Sequence, residues 1–225
     1  MADVLFEWPT NAAVGTKIPK ERFYAQGTVS AAIKEKFVSE IAKITWTHKL
    51  SVDTVNVPGL DDLVEIDVFR IDTKDGVLSD SVLTSIDKTI PRPLIFEITR
   101  PTAELGSGNG VIRMTAAHKQ LSTVGPKLSN YFSTNWMPLA QVRIELPTAI
   151  NLQVLYAALL DPLLPVEIHA DDSTFEVARR LEMIRLLDRE IAMLKRKLRA
   201  ENQFNKKVEI NRRLKSKQAQ REHQR

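Results

Sequence analysis

The run LVEIDVFRI, residues 63–71, decides the architecture. Val64, Ile66, Val68 and Ile71 are β-branched, and the run ends at KDG, a turn signal, so it reads as a strand. A short helix follows over about Ser79 to Thr89, with Val82, Leu83 and Ile86 turned inward. Pro91 and Pro93 then bracket entry to a second strand, LIFEITR (94–100). GSGNG (106–110) leads to a third, GVIRMTAAHK (110–119), a fourth lies at YFSTNWM (131–137), and QVRIEL (141–146) is an extended or bridging piece. Strand, helix, strand and hairpin in that order predict an α/β (α+β) body. It is a mixed sheet of about four strands with helices on at least one face.

Upstream, residues 1–27 read as irregular, punctuated by Pro9, Gly15, Pro19 and Gly27. Thr28 or Ser30 caps a helix expected to run to about Lys49, because Val29, Ile33, Phe37, Ile41 and Ile44 keep helical spacing. Trp46 and Leu50 complete its packing. Downstream, Asn151 to Leu160 forms another helix, stopped by Pro162 and Pro165. Asp172 or Ser173 caps a last helix that starts near Phe175. The expected organisation is a body over 1–170 and a helical tail over 171–225.

Composition narrows the chemistry. The chain has 225 residues and no cysteine, which removes disulfides, thiolate nucleophiles and Cys-based zinc sites, and fits a reducing compartment. The start carries no basic segment followed by an apolar run, and no stretch approaches the roughly 20 apolar residues that cross a bilayer. A cytoplasmic protein without a membrane partner is expected. Charge is unevenly spread. Residues 176–225 hold 16 Lys and Arg against 7 Asp and Glu, which leaves 16 against 21 for residues 1–175 out of totals of 32 and 28. An acidic body carries a basic tail, and such asymmetry speaks about partners.

Within the tail, Val177, Ile184, Ile191 and Leu198 stand seven residues apart, and Leu187 and Leu194 fill the alternate seam. That is a heptad pattern, expected to make a long coiled coil that docks a partner or a second copy. Beyond Leu198 the register fails, with Asn205 on the seam and Phe204, Val208, Ile210 and Leu214 in a weaker stripe. Bending, a break near Asn202 and folding back as a helical hairpin are all open. A straight helix of about 50 residues would span on the order of 75 Å, more than a body of this size can cover. Its apolar seam therefore needs its own returning end, another copy or another protein. Lys195, Arg196, Lys197, Arg199, Lys206, Lys207, Arg212, Arg213 and Lys215 form a dense basic set, opposed between 195 and 217 only by Glu201 and Glu209. Such a set can neutralise nucleic-acid phosphates or serve as a solvated face.

The blocks KIPKERFY (17–24), ITWTHKLS (44–51), VEIDVF (64–69), IDKTIPRPLIFEI (86–98), FSTNW (132–136), INLQVLYAALL (150–160) and ENQFNKKVEIN (201–211) together resemble the bacterial family labelled domain of unknown function 4391. The likeness runs nearly the whole chain, though no block is a catalytic signature. Genes of that family often neighbour DNA methyltransferase and helicase genes, in loci that resemble restriction or anti-phage systems. The resemblance thus implies an association with DNA-processing machinery. The expected role is a non-enzymatic accessory or adaptor subunit of a DNA-modification or anti-phage defence assembly. It would dock a helicase or methyltransferase through the terminal helix and contact DNA phosphates through the basic set.

The alternative is a metal-dependent nuclease with a degenerate restriction-type site at Asp67 and Glu97, two carboxylates on consecutive strands. Its second motif reads Glu97-Ile98-Thr99, without the lysine such sites use. GSGNG lacks the Lys-Ser/Thr of a phosphate loop, and His48, His118, His169 and His223 show no ligand spacing. No cofactor is expected.

Overall fold

The computed structural model describes residues 3–24, 29–101, 110–120, 126–163, 174–201 and 203–222. The chain divides into two units, Met1–Leu164 and Pro165–Arg225.

The first unit is built on a mixed sheet. Its strands are β1 (Ala13–Lys17), β2 (Ile41–Ser51), β3 (Glu65–Thr73), β4 (Leu94–Pro101), β5 (Gly110–Gln120), β6 (Lys127–Ser133) and β7 (Met137–Pro138). They lie in the order β1-β2-β3-β4-β5-β6, with the short β7 also paired to β5. Among the described strands, β3 and β4 alone pair in parallel, joined by a crossover through helix α3 (Asp80–Thr89). The mixed class agrees with the sequence reading, but the described residues form a sheet of seven strands rather than about four.

The additional strands come from segments whose spacing misleads. The helix expected to reach Lys49 ends early. Helix α1 spans Ala31–Glu40, its Ser30 hydroxyl accepting from the Ile33 N–H, and β2 begins at the next residue. Ile41 pairs with Thr73 and Ile44 with Ile71, with a bulge between Ile41 and Lys43. The inserted residue lets two isoleucines three positions apart face the same side of a strand, which imitates helical periodicity. Their β-branching, with that of Thr45 and Thr47, was the contrary signal. Likewise the irregular N-terminal segment contains β1, hydrogen-bonded along β2.

Neighbouring strands share parity across the sheet, so register sorts residues between its two faces. On one face Phe69, Ile71, Leu94, Phe96, Ile98, Ile41 and Ile44 pack with Phe37 of α1 and with Val82, Leu83 and Ile86 of α3. Helix α2 (Val52–Val55) is a single turn that follows β2. Helix α4 (Leu152–Leu160), capped by the Asn151 side chain on the Val154 N–H, packs against β3. Leu152, Leu155, Tyr156, Leu159 and Leu160 are its buried residues. Ile66 and Val68, which alternate with the first-face residues of β3, belong to this second side.

The second unit consists of helices α5 (Thr174–Ala200) and α6 (Phe204–Glu222), which pack against each other. No described helix is long and apolar enough to cross a membrane.

Candidate nucleic-acid interface

The tail is not one long coiled coil. Helix α5 ends at Ala200, α6 begins at Phe204, and α6 runs back along α5. Two ion pairs set the antiparallel register, Arg221 Nε to Asp188 Oδ1 and Lys217 Nζ to Glu190 Oε2, both at 2.7 Å. In that register Leu214 comes level with Leu194. Leu214 is buried, as are Ile184, Leu187 and Ile191. Of the remaining expected partner-binding residues, Leu194 and Leu198 are half-buried, and the side chain of Val177 lies outside the described residues. The long seam thus loses much of its exposure within one chain, because doubling over removes apolar area from water without any second protein.

Folding back also sorts the charges. The acids Asp188 and Glu190 meet Lys217 and Arg221 far from the reversal. Around the reversal, Lys195, Arg196, Lys197, Arg199, Lys206, Lys207, Arg212, Arg213 and Lys215 are all exposed. Arg213 forms an ion pair with Glu209 at 2.8 Å, four residues away on the same helix. Exposed pairs of that kind contribute little, so Arg213 remains competent toward a stronger anion. The chain reversal therefore brings two basic helix segments side by side, at roughly the 8–10 Å spacing of packed helices. Sequence reasoning had the residues but not their convergence.

In the body, three buried polar clusters occupy different places. At the carboxyl end of α3, Lys119 Nζ donates to the carbonyls of Asp87, Ile90 and Arg92 at 2.9, 3.0 and 2.7 Å and lies 2.7 Å from Asp87 Oδ1. The Tyr131 hydroxyl donates to Asp87 Oδ2 at 2.6 Å. Helix ends leave carbonyls without intrahelical donors, and this buried ammonium satisfies them. Desolvation pushes the Asp87 carboxyl up and the Lys119 ammonium down, while their mutual attraction opposes both shifts. The lysine has no donor left for a substrate.

Glu97, on β4, is nearly fully buried. Its Oε1 accepts from Trp8 Nε1 at 2.8 Å and from Arg143 Nη1 at 2.6 Å, and the same Arg143 nitrogen donates to the Phe6 carbonyl. This carboxylate ties the N-terminal segment and the segment around Arg143 to the sheet. His48 Nδ1 is buried close by without a hydrogen-bond partner among the described residues, and desolvation holds its pKa below the usual value.

Asp67, on β3, sits beside Glu65, which pairs with Arg92 at 3.0 Å and Lys49 at 3.5 Å. Asp67 Oδ1 is buried without a partner among the described residues. Burial first, and then the neighbouring Glu65 charge, push the Asp67 carboxyl up to about 7.

The nuclease pairing is not assembled. Arg70 is level with Glu97 and Asp67 with Leu94 in the parallel β3–β4 register, so Asp67 and Glu97 project from opposite faces of the sheet. Two carboxylates must converge on one side to share a divalent ion, and these do not. Among the described residues no group of three His, Asp or Glu side chains is placed to hold a metal. Sequence reasoning missed Glu65, Asp87, Lys119 and Arg143. Lys119 at the end of the strand run GVIRMTAAHK was the available signal.

The architecture defines a mixed α+β body followed by a basic helical hairpin. A family model described as "Domain of unknown function (DUF4391)" matches residues 6–220, and the chain belongs to that family. No curated protein and no solved structure matches it.

Proposed function

We propose that the protein is a non-enzymatic accessory subunit of a DNA-modification or anti-phage assembly, and that its α5–α6 hairpin contacts nucleic-acid phosphates. The supporting observation is the charge sorting of the hairpin, with nine exposed Lys and Arg side chains between 195 and 215 against Glu201 and Glu209. A phosphate backbone is the ligand that rewards such density, since each neutralised phosphate releases a condensed counterion. The family's association with methyltransferase and helicase genes supplies the setting, and a helicase or methyltransferase is the protein partner we assign. With Ile184, Leu187 and Ile191 already buried, that partner would meet the half-buried Leu194 and Leu198 beside the exposed Met193. Cytoplasmic residence follows from this role.

The test is binding of a fluorescent DNA duplex to the full chain across a salt series. A steep loss of affinity with rising salt is expected, with log K falling by about 0.9 per phosphate contacted for each tenfold rise in salt. Affinity that barely changes between low and physiological salt would overturn the reading. Retention of a helicase or methyltransferase from extract, lost when Leu194 and Leu198 become Asp, tests the partner.

A further inference from the structure

Outside the hairpin, one arrangement in the body is unexplained by packing. Arg100, on β4, and Arg113, on β5, lie on the same face of the sheet, since Ile98 is level with Arg113 and Arg100 with Val111. Both guanidinium groups sit over the indole of Trp136, at 4.5 and 4.7 Å from the ring centroid. Trp136 is placed there by β7, whose Met137 pairs with Ile112.

Arg100 is held in position from its other side. Gly76, at φ +78°, lies against its side chain so closely that a Cβ there would stand 2.7 Å from Arg100 Cδ. Glycine is needed both for the backbone angle and for this approach. Aromatic ring and glycine together leave the guanidinium little freedom, which is how a recognition group is preorganised.

The charges do not balance. Neither guanidinium forms an ion pair with a carboxylate of the described residues, and Arg113 Nε is buried without a hydrogen-bond partner among them. Asp80, in the first turn of α3, attracts Arg113 from beyond ion-pair distance, while Arg100 repels it. Two guanidiniums on one ring, with a desolvated and unsatisfied donor, are electrostatically unfavourable as they stand. Cation–π attraction to the Trp136 ring offsets only part of that.

We propose that Arg100 and Arg113, held over Trp136, form an oxyanion site for a phosphoryl group. One guanidinium fork engages both oxygens of a carboxylate. Two guanidiniums carried on one face of neighbouring strands, beside one ring, suit the larger oxygen set of a phosphate. Its place in the fold supports the assignment. Arg100 lies at the carboxyl end of the parallel pair β3–β4, on the side where the crossover enters α3, and open α/β sheets bind ligands at such ends. The amino end of α3 itself is not part of the site, because Glu40 already occupies it. Its carboxylate accepts from the Ser79 N–H and hydroxyl at 2.7 and 2.6 Å. The phosphoryl group belongs to a free phosphate or nucleotide, or to a nucleic-acid strand.

The experiment titrates the full chain with inorganic phosphate, then pyrophosphate, at constant ionic strength, following the Trp136 indole N–H by NMR. Its resonance is assigned from Trp136→Phe. Saturable shifts are expected, with affinity at least tenfold weaker in Arg100→Gln and in Arg113→Gln. Arg113→Lys, which keeps the charge but loses the planar fork, is expected to weaken binding several-fold and serves if the Gln variants do not fold. A parallel arm uses a short oligonucleotide with the chain carrying Lys206→Gln, Lys207→Gln and Arg212→Gln, which weakens the hairpin's contribution. Binding of the oligonucleotide alone, lost in the Arg100 and Arg113 variants, identifies a nucleic-acid strand as the source. No saturable response in either arm, or responses unchanged in both arginine variants, overturns the site. Failure of the hairpin reading leaves this outcome unaffected, because phosphate and pyrophosphate are read at Trp136.

Discussion

Lys119 Nζ lies 2.7 Å from Asp87 Oδ1 and closes the carboxyl end of α3 from strand β5. Both side chains are essentially removed from water, so each depends on the other for compensation. Lys119→Ala leaves the Asp87 carboxylate without its cation and the Asp87, Ile90 and Arg92 carbonyls without their donor. The expected loss is about 3–5 kcal/mol in urea unfolding. Replacing both residues together, as Lys119→Met with Asp87→Leu, is expected to cost less than the sum of the two single changes. Additive losses would show that the pair is not coupled.

Asp67 makes stability depend on pH. Its folded pKa of about 7 stands above the value of roughly 3.9 for an unfolded aspartate. The folded state therefore holds the proton more tightly, and this contribution is complete below about pH 4. It is lost as pH rises from about 4 through about 7, and stability from this group is then flat. The total is on the order of 2–4 kcal/mol. Asp67→Asn is expected to remove that slope, gaining stability relative to the parent at pH 8 and not at pH 4. Parallel melting-temperature profiles for both proteins would contradict it.

The hairpin can be measured directly, because the chain has no cysteine and spin labels go only where they are introduced. With labels on Arg189→Cys and Gln220→Cys, packed antiparallel helices predict a separation below about 25 Å, allowing for label arms. A continuous helix predicts about 47 Å at 1.5 Å per residue. Pulsed electron resonance distances decide between them.

Leu214 is the buried residue that α6 contributes most clearly. Leu214→Ala is expected to cost about 2–5 kcal/mol of hairpin stability, read as loss of helical ellipticity and of amide protection in α5 and α6. The core of the body, centred on residues such as Phe37, is expected to keep its protection.

For the basic set, changing Lys206, Lys207, Arg212 and Arg213 to Gln is expected to flatten the salt dependence of DNA binding by the number of phosphates those residues reach. The weakening should be the same for unrelated DNA sequences, since phosphate contacts carry no sequence information.

Strands β3, β4 and β5 and helices α3 and α4 were legible because β-branched runs, proline brackets and caps all agreed locally. Strand β2 was not. Its bulge between Ile41 and Lys43 makes the isoleucine spacing helical, and only pairing with β1 and β3 reveals the strand. β1 is short and mostly exposed, with almost no apolar alternation to read. The candidate carboxylates were correctly placed on strands, yet adjacent strands do not imply a shared face. The offset that levels Arg70 with Glu97 separates Asp67 from it, and no local pattern encodes that offset.

The sequence alone determined the mixed class, the helix between the strands now seen as β3 and β4, the family and the concentration of positive charge in the last fifty residues, because propensity, composition and motif order are local quantities. Tertiary structure alone decided which side chains meet. It set Asp67 apart from Glu97, brought Arg100, Arg113 and Trp136 together, and turned the tail back on itself. Register and chain reversal are governed by burial summed over distant segments, and that sum exists only once the chain has folded.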